Sequence, residues 1–271
     1  MGKLFMEKLT LAQKERLENI KQIIQMDRKI TVADLSSEFQ VTEETIRRDL
    51  TKLESEGIVT RTHGGAVLNS ARVIENSSFL LREQQHNQEK KIIAKLAYEL
   101  IPKRAVIAAD ASTTVIEAVR LLRMESNITI LTHSTQIVSE AYDALFRIVS
   151  TGGSVNKSTF SMQGSIVRKV LESLYVDIVL LSCKALNLTD GIFDSNEDEA
   201  EIKKLMIERG QKIILLADHS KFNRAAFVKV TGFDKLDALI TDREPSDEWK
   251  ALLHERNISL LYPEYGHELN A

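Results

Sequence analysis

The amino-acid sequence predicts an α/β protein of two domains: a small helical domain that ends in a β-hairpin, and a larger domain built on a mainly parallel sheet. The chain has 271 residues, a length that suits two domains. Helical spacing followed by a glycine-centred hairpin pattern occupies residues 11–68. Beyond residue 100, short apolar runs alternate with helical stretches, which is typical of a parallel sheet.

The N-terminal domain, residues 1–68, is predicted to contain three helices: the first within 11–26, the second from Thr31 to about Phe39, and the third from Thr42. Thr31 opens a sequence that resembles a capping box, and Thr42 can cap the third helix. An apolar stripe at helical spacing seats the third helix on a core, through Ile46, Leu50 and Leu53. Three helices with a short turn between the second and third are typical of a helix-turn-helix.

The outward face of the third helix is predicted to contact DNA. At 100° per residue, Arg48 and Thr51 lie opposite the apolar stripe, and Arg47 lies beside them. Arginine can pair bidentately with guanine edges or with phosphates. On an isolated helix the same charges would indicate an ordinary solvated face, so the neighbouring elements decide the interpretation.

A short wing is predicted after the third helix. Gly57 ends the helix, and segments 58–59 and 66–68 can pair as strands around a Gly-Gly pair. This wing carries Arg61 and His63. The N-terminal domain is therefore predicted to be a winged helix-turn-helix.

Residues 69–82 are expected to form a linker because they start as a polar, weakly periodic stretch, and residues 83–271 are expected to form the larger domain. A helix is predicted over 83–100 and is ended by Pro102. Apolar runs then predict six strands, at 105–109, 128–131, 147–150, 176–181, 212–217 and 238–240. Helices separate most of them, for example at 114–123, 197–209 and 247–255.

Polar runs follow four of these strands, where a parallel sheet binds ligands just past the carboxyl ends. Hydroxyl residues at a helix N-terminus suit a phosphate, Lys221 could add a positive charge, and a Gly-Gly pair allows close backbone approach. The residues concerned are Asp110, Ser112, Thr113 and Thr114, then Thr132, His133 and Ser134, then Gly152 and Gly153, and finally Asp218 and Lys221. Taken singly, such runs are usually caps and turns, but four on one sheet edge favour an anion site.

Residues from about 9 to 68 resemble the DNA-binding domain of the deoxyribose-operon repressor (DeoR) family of bacterial transcription regulators. The matching positions are Arg16, Ile20, Val32, Leu35, Phe39, Val41, 45–50, Leu53, Gly57 and 63–66. The resemblance implies that Thr42, Thr45, Arg47 and Arg48 contact operator DNA, and that the wing lies along the DNA backbone.

The larger domain resembles the sensor domain of the same family over roughly residues 89–263. The family's loop motifs match 110–114, 132–134, 152–153 and 218–221, and its helix motif matches 198–206. That sensor domain is similar in fold to ribose-5-phosphate isomerases and glucosamine-6-phosphate deaminases, and is regarded as a sugar-phosphate binder without catalysis. The resemblance implies a phosphorylated sugar effector and repression of a sugar-metabolism operon that the ligand relieves. We also expect no cofactor or metal, and a homo-oligomer (dimer or tetramer) that binds double-stranded operator DNA.

Three positions depart from the family pattern. Residues 102–104 replace a usual Gly-Asp turn, Ala111-Ser112 stands where Ser-Gly is common, and His133 replaces an asparagine. The last two lie in the expected ligand site and therefore bear on which effector is bound. For His133 two interpretations stay open, a pH-dependent ligand contact or a neighbour of a helix cap.

Composition narrows the possible classes of protein. Residues 1–70 contain 11 Lys and Arg against 11 Asp and Glu, so this domain has no net charge and DNA binding must depend on local geometry and dimerisation. The single cysteine, Cys183, excludes an intramolecular disulfide and is expected in a buried strand. The sequence has no signal-peptide pattern and no apolar run of membrane-spanning length, so we expect a cytoplasmic protein.

Two other functions are weighed against a DNA-binding regulator. A sugar-phosphate isomerase or deaminase with an appended DNA-binding domain could use Asp110, Asp218 and His219 as acid or base groups, but fold analogy does not establish chemistry. A winged helix can also serve as a protein–protein module, although the outward Arg47, Arg48, Arg61 and His63 disfavour that use.

Overall fold

The computed structural model describes residues 16–21, 23–24, 29–55, 58–62, 64–68, 79 and 81–263. The chain divides into two compact units, Met1–Ser78 and Phe79–Ala271. The larger unit begins at Phe79 rather than at residue 83, because the Phe79 side chain is buried in its core. His63, Gly57 and most of the expected linker lie outside the described residues.

The first unit combines helices with a three-stranded antiparallel sheet. Residues 16–21 and 23–24 are helical (α1), and β1 (Lys29–Thr31), α2 (Val32–Glu38), α3 (Glu43–Ser55), β2 (Val59–Thr62) and β3 (Gly65–Leu68) follow. The strand order is β1-β3-β2, so the predicted hairpin gains a third strand that the sequence did not indicate. Gly65 permits this pairing, because a Cβ atom there would lie 1.9 Å from the Ile30 carbonyl oxygen.

The core of the first unit forms under α3. Ile46, Leu50 and Leu53 are fully buried, as the apolar stripe predicted. They pack with apolar side chains of α1, α2 and the sheet, among them Ile20 and Leu35. The opposite face of α3 is therefore left to solvent or to a partner.

The second unit is built on a seven-stranded sheet in which every pairing is parallel. Its order is β15-β14-β12-β9-β4-β5-β6. These strands are β4 (Ala105–Ala109), β5 (Ile128–Thr132), β6 (Arg147–Ser150), β9 (Val176–Ser182), β12 (Gly210–Leu216), β14 (Ala238–Ile240) and β15 (Ser259–Leu261). The predicted mainly parallel sheet is confirmed, and the short edge strand β15 was not predicted.

Helices cover both faces of this sheet. They are α4 (81–84), α5 (Asn87–Leu100), α6 (Thr113–Leu121), α7 (Thr135–Glu140), α8 (Ser165–Glu172), α9 (Glu197–Arg209) and α10 (Asp247–Glu255). Alternate strand residues point to opposite faces, so Leu180 and Ile214 enter one core while Leu181 and Leu215 enter the other. The hairpin β7 (Ser154–Asn156) and β8 (Ser161–Gln163) and a small antiparallel sheet of β10 (Ala185–Asn187), β11 (Gly191–Asp194) and β13 (Val228–Thr231) lie outside the main sheet.

The helix predicted over 83–100 is interrupted. A single turn, α4, ends at residue 84, and α5 begins at Asn87. Between them His86 adopts a left-handed backbone conformation with φ 54°. The Lys90 ammonium stabilises the break, because it contacts the backbone carbonyl oxygens of Arg82, Glu83 and Gln85. Among the described helices, none is long and apolar enough to cross a membrane.

Candidate functional site

Two threonines, Thr42 and Thr45, stabilise the N-terminal end of α3. Thr42 Oγ1 accepts a hydrogen bond from the Thr45 backbone N–H at 3.3 Å, and the two hydroxyl oxygens lie 2.9 Å apart. Glu43 and Glu44 occupy the first turn, where carboxylates favour the positive end of the helix dipole. Both threonines therefore stand at the N-terminal end of the helix, the end that enters the major groove in helix-turn-helix proteins.

Two exposed arginines continue this face. Arg47 pairs with Glu43 at 2.5 Å, and Arg48 lies 3.4 Å from Glu44 with 79% of its side chain exposed. Exposed ion pairs of this kind contribute at most about 1 kcal/mol, so a phosphate or a guanine edge can replace the glutamates.

The strand β2 adds a third arginine. The Arg61 guanidinium donates to Thr51 Oγ1 at 3.1 Å, and the Arg61 backbone N–H donates to Glu54 at 3.0 Å. These bonds join the wing to α3. We call Thr42, Thr45, Arg47, Arg48, Thr51 and Arg61 the recognition face. His63, which was predicted to belong to it, lies outside the described residues.

A pocket with several positive charges lies in the second unit, at the carboxyl ends of β12, β9 and β4. Five residues predicted for the ligand site line it: Ser112, Thr113, Thr114, Asp218 and Lys221. The remaining lining residues are Arg82, Gln85, His86, Lys90, Ser182, Cys183, Lys184, Asp194, Ser195 and Lys203. We call this site the basic pocket.

Asp110 does not line the basic pocket, but its buried carboxylate binds the backbone of two residues that do. Its side chain is fully buried and accepts hydrogen bonds from the backbone N–H groups of Ser112 and Ser182, both at 2.9 Å. Lys203 Nζ lies 3.4 Å from the same carboxylate. Asp110 thus holds together the loops that follow β4 and β9.

The other predicted ligand residues do not line this pocket. Thr132 donates its hydroxyl to the Ala109 carbonyl, and Ser134 caps α7 by accepting from the Ile137 N–H. His133 is buried, with Nε2 3.2 Å from a carboxylate oxygen of Glu199. In the structure these three side chains interact with other groups of the protein.

The backbone conformation after β6 explains why two glycines occur there. Gly152 and Gly153 have φ values of 63° and 112°, in the left-handed region. A Cβ atom on Gly153 would lie 2.7 Å from the Gln163 carbonyl oxygen and 2.8 Å from Val167. The close approach predicted from the Gly-Gly pair is therefore made to the hairpin strand β8.

Lys203 neutralises the carboxylates beneath the basic pocket. Its Nζ lies 2.5 Å from Asp194 and 3.4 Å from Asp110, and its side chain is 6% exposed. Burial lowers the pKa of Lys203, but the two aspartates outweigh this effect and hold the pKa above its ordinary value. The lysine therefore stays charged, and the pocket floor is held by ion pairs.

At two other lysines of the pocket, nearby negative charges do not offset the effect of burial on the pKa. Burial, followed by the charges of Lys221 and Arg82, lowers the pKa of Lys184. Burial also lowers the pKa of Lys90 to about 8, although the nearby Asp218 opposes this shift. The site thus favours additional negative charge.

A separate group of side chains has the spacing of metal ligands. Among the described residues, Glu89, His219 and Asp242 offer ligand atoms within 4.8 Å of one another. Asp242 already accepts from the His219 backbone N–H at 2.6 Å and lies 3.2 Å from Arg243 Nε. The group holds the loop after β12, and we assign no metal to it.

Several pocket residues were missed by sequence reasoning. Arg82, Gln85 and His86 fall in or beside the segment expected to be a linker, and Lys90 follows them on an amphipathic helix. Lys203 belongs to the 198–206 family motif, which was predicted as a helix and was not assigned to the ligand site. Ligand-site prediction from strand ends alone could not find residues contributed by helices.

Comparison with known families decides the identity of the chain. Residues 16–72 match the "DeoR-like helix-turn-helix domain", and residues 85–243 match the "DeoR C terminal sensor domain". The chain belongs to the DeoR family of transcriptional regulators. The predicted winged helix-turn-helix followed by an α/β sensor domain is thereby confirmed.

Full-length relatives within the DeoR family carry regulator names. The HTH-type transcriptional regulator YulB of Bacillus subtilis is 38% identical over 84% of this chain and 88% of its own length. The HTH-type transcriptional repressor GlcR of the same organism is 32% identical over 93% of this chain and 97% of its own length. These names favour a DNA-binding regulator over the alternative of a sugar-phosphate isomerase or deaminase.

Among solved structures, the ribose 5-phosphate isomerase A of Methanocaldococcus jannaschii matches 51% of this DeoR-family chain and 55% of its own chain. The two are 17% identical with a TM-score of 0.39.

Proposed function

We propose that this DeoR-family protein represses an operon of sugar metabolism, and that a phosphorylated sugar in the basic pocket relieves the repression. The observation that carries the proposal is the combination, in one pocket, of clustered cations, a helix N-terminus and buried carboxylates. Such a site suits a ligand with both an anionic end and several hydroxyl groups.

The phosphate is proposed to bind at the N-terminal turn of α6. Ser112 caps this helix, and Thr113 and Thr114 follow it into the pocket. Helix N-termini present backbone N–H groups and a positive dipole end to an anion. Lys184 and Lys221 supply positive charge nearby, and their mutual repulsion falls when an anion binds between them.

The sugar hydroxyls are proposed to meet the carboxylates. Asp218 Oδ2 is buried and accepts no hydrogen bond within the described part of the chain, although Lys221 Nζ lies 3.4 Å away. A buried acceptor of this kind is satisfied by a donor from a ligand or from water. Asp194 offers a second carboxylate on the pocket wall.

Operator binding is proposed to use the recognition face and His63, with Thr42, Thr45, Arg47 and Arg48 in the major groove and the wing at the backbone. At least a dimer is needed, because paired helices then read half-sites in successive major grooves. The name of one relative supports a sugar operon: it is an L-fucose operon activator of Haemophilus influenzae, 29% identical. The name of GlcR, a transcriptional repressor, supports repression.

A thermal-shift screen tests the effector proposal. Purified protein is melted with sugar phosphates and with the same sugars unphosphorylated, since a ligand that binds only the folded state raises the melting temperature with its concentration. We expect a rise with one phosphorylated sugar and none with its free form. Lys221→Met should abolish the rise, whereas Lys229→Met, an exposed lysine on β13, should leave it intact.

A gel-shift experiment tests the sign of regulation. The probe is the DNA upstream of the protein's own coding sequence, titrated with protein at fixed salt. Release of DNA on adding the sugar phosphate found in the screen would support relieved repression. Tighter binding would identify the ligand as a co-repressor or the protein as an activator, and would contradict the proposed sign.

A further inference from the structure

We propose that Lys90 is the residue through which the pocket responds to its ligand: an anionic group of the effector takes over hydrogen bonds that Lys90 donates to the backbone of residues 82–85. The inference rests on the proposed function, because it requires an anion in the basic pocket. It adds a residue and a local event that the family resemblance does not specify.

Lys90 is committed to the backbone of the preceding turn. Its Nζ donates to the carbonyl oxygen of Arg82, lies 2.6 Å from the carbonyl oxygen of Gln85 and lies 3.4 Å from that of Glu83. The residue is 4% exposed, although it lines the pocket. These bonds stabilise the interruption between α4 and α5.

An anion in the pocket would compete for the same donors. A lysine ammonium has three N–H donors, and here three backbone carbonyls lie within its reach. A hydrogen bond from an ammonium to a phosphate oxygen is stronger than one to a neutral carbonyl, because both partners are charged. A phosphate that reaches Lys90 must therefore displace at least one carbonyl.

The charges around Lys90 favour this exchange. Among the charges around it, Asp218 raises the pKa of Lys90 most and Glu117 also raises it, whereas the positive charges of Lys221 and Arg82 lower it. Burial with this incomplete compensation lowers the pKa of Lys90 to about 8. An arriving anion would supply the missing negative charge.

The turn stabilised by Lys90 lines the basic pocket and lies close in sequence to the boundary between the two units. Arg82, Gln85 and His86 line the same pocket, so a ligand touches the turn as well as its lysine. The turn is fixed on its N-terminal side by Phe79, whose ring stacks on Phe160 with a centroid distance of 4.7 Å. It also lies within a few residues of the boundary at Ser78, where the chain continues to the DNA-binding unit.

Hydrogen exchange of the wild-type protein tests the event directly. Amide exchange is measured by mass spectrometry with and without inorganic phosphate, at matched ionic strength with chloride, after thermal shift has established the saturating concentration. We expect backbone amides of residues 81–90 to exchange at least threefold faster or slower when phosphate is bound. Saturating phosphate that leaves this segment unchanged would overturn the inference while leaving the pocket assignment intact.

Two lysine variants then test the link to DNA. Lys90→Met removes the donors and keeps the length of the side chain, and Lys91→Met is the matched control at the adjacent exposed position. If phosphate changes operator affinity about tenfold in the wild type, a typical coupling, the change should fall below twofold in Lys90→Met and persist in Lys91→Met. Equal coupling in both variants would overturn the inference, and no binding of phosphate or of any sugar phosphate to the wild type would overturn the proposed effector class with it.

Discussion

Arg16 Nε lies 2.6 Å from Asp49 Oδ2, and only 1% of the Asp49 side chain is exposed. Asp49 follows the outward Arg48 on α3 but points into the unit, so the ion pair joins α1 to the helix that carries the recognition face. A buried ion pair of this kind fixes orientation more than it adds net stability. In the proposed DNA complex, the orientation of Arg47 and Arg48 therefore depends on a contact outside the recognition face.

Removal of Arg16 should destabilise the DNA-binding unit. Arg16→Met removes the guanidinium that pairs with the buried Asp49 carboxylate, which we expect to cost about 3 kcal/mol in free energy of unfolding. Urea denaturation checks this value. Arg48→Met, the same substitution at an exposed position, should change stability by no more than about 0.5 kcal/mol.

The double variant Arg16→Met with Asp49→Leu separates the two causes of that loss. If the cost comes from the buried carboxylate that has lost its ion pair with Arg16, the double variant should recover most of the stability of the wild type. A double variant as unstable as Arg16→Met would assign the loss to side-chain packing instead.

Removal of Arg48 should weaken operator binding without affecting folding. Arg48→Ala loses a guanidinium that is 79% exposed on the recognition face, so the operator dissociation constant should rise about tenfold or more. Fluorescence anisotropy with operator duplex measures the change. Arg104→Ala, an exposed arginine of the other unit, is the control for a general loss of positive charge, and equal effects of both variants would refute the assignment.

The strongest elements were predictable because each is encoded locally. The stripe of Ile46, Leu50 and Leu53 and the apolar run of β4 need no knowledge of their neighbours. Strand β1 was missed because three residues acquire strand geometry only through pairing with β3. The break at His86 was missed because helical periodicity continues through it, while the cause is a lysine four residues later.

The residues that line the basic pocket were predicted only in part, because no single segment of the sequence encodes the order of strands in the sheet. The polar ends of β4 and β12 lie on either side of β9 and face the basic pocket, whereas β5 and β6 lie beyond β4 in the sheet. Thr132 is the last residue of β5, His133 follows it, and Gly153 follows β6. In the structure these residues make contacts within the protein. A sequence pattern of polar residues and glycines does not distinguish such contacts from a ligand-binding loop.

The buried cluster around Glu199 should make stability depend on pH. Ser161 Oγ donates to Glu199 at 2.5 Å, and His133 Nε2 lies 3.2 Å away. Burial alone would raise the pKa of Glu199, but the hydrogen bond and charge of His133 hold it at about 2, against 4.5 for an ordinary glutamate. A lowered pKa contributes stability that is present above 4.5 and is lost as the pH falls toward 2.

Glu199→Gln should remove this dependence. Between about pH 5 and about pH 3, the free energy of unfolding of the wild type should fall by on the order of 2 kcal/mol more than that of the variant. Urea denaturation at a series of pH values measures both slopes. Glu208→Gln, at an exposed position on the same helix, should keep the wild-type slope, and parallel curves for wild type and Glu199→Gln would exclude the cluster as the cause.

Cys183 should be a slow but informative reporter of the basic pocket. It is the only cysteine of the chain, it lines the pocket, and burial raises the pKa of its thiol from 9.0 to about 12. The thiolate fraction near neutral pH is then about a thousandfold lower than for an ordinary thiol, so alkylation by iodoacetamide should be far slower in the native protein than in urea. Mass spectrometry of the intact chain follows the reaction. A ligand bound as proposed would cover the thiol, so saturating glucosamine 6-phosphate should slow the alkylation further if that sugar phosphate binds, whereas free glucosamine should not. A native rate close to the rate in urea would mean that the pocket opens often enough to expose its floor.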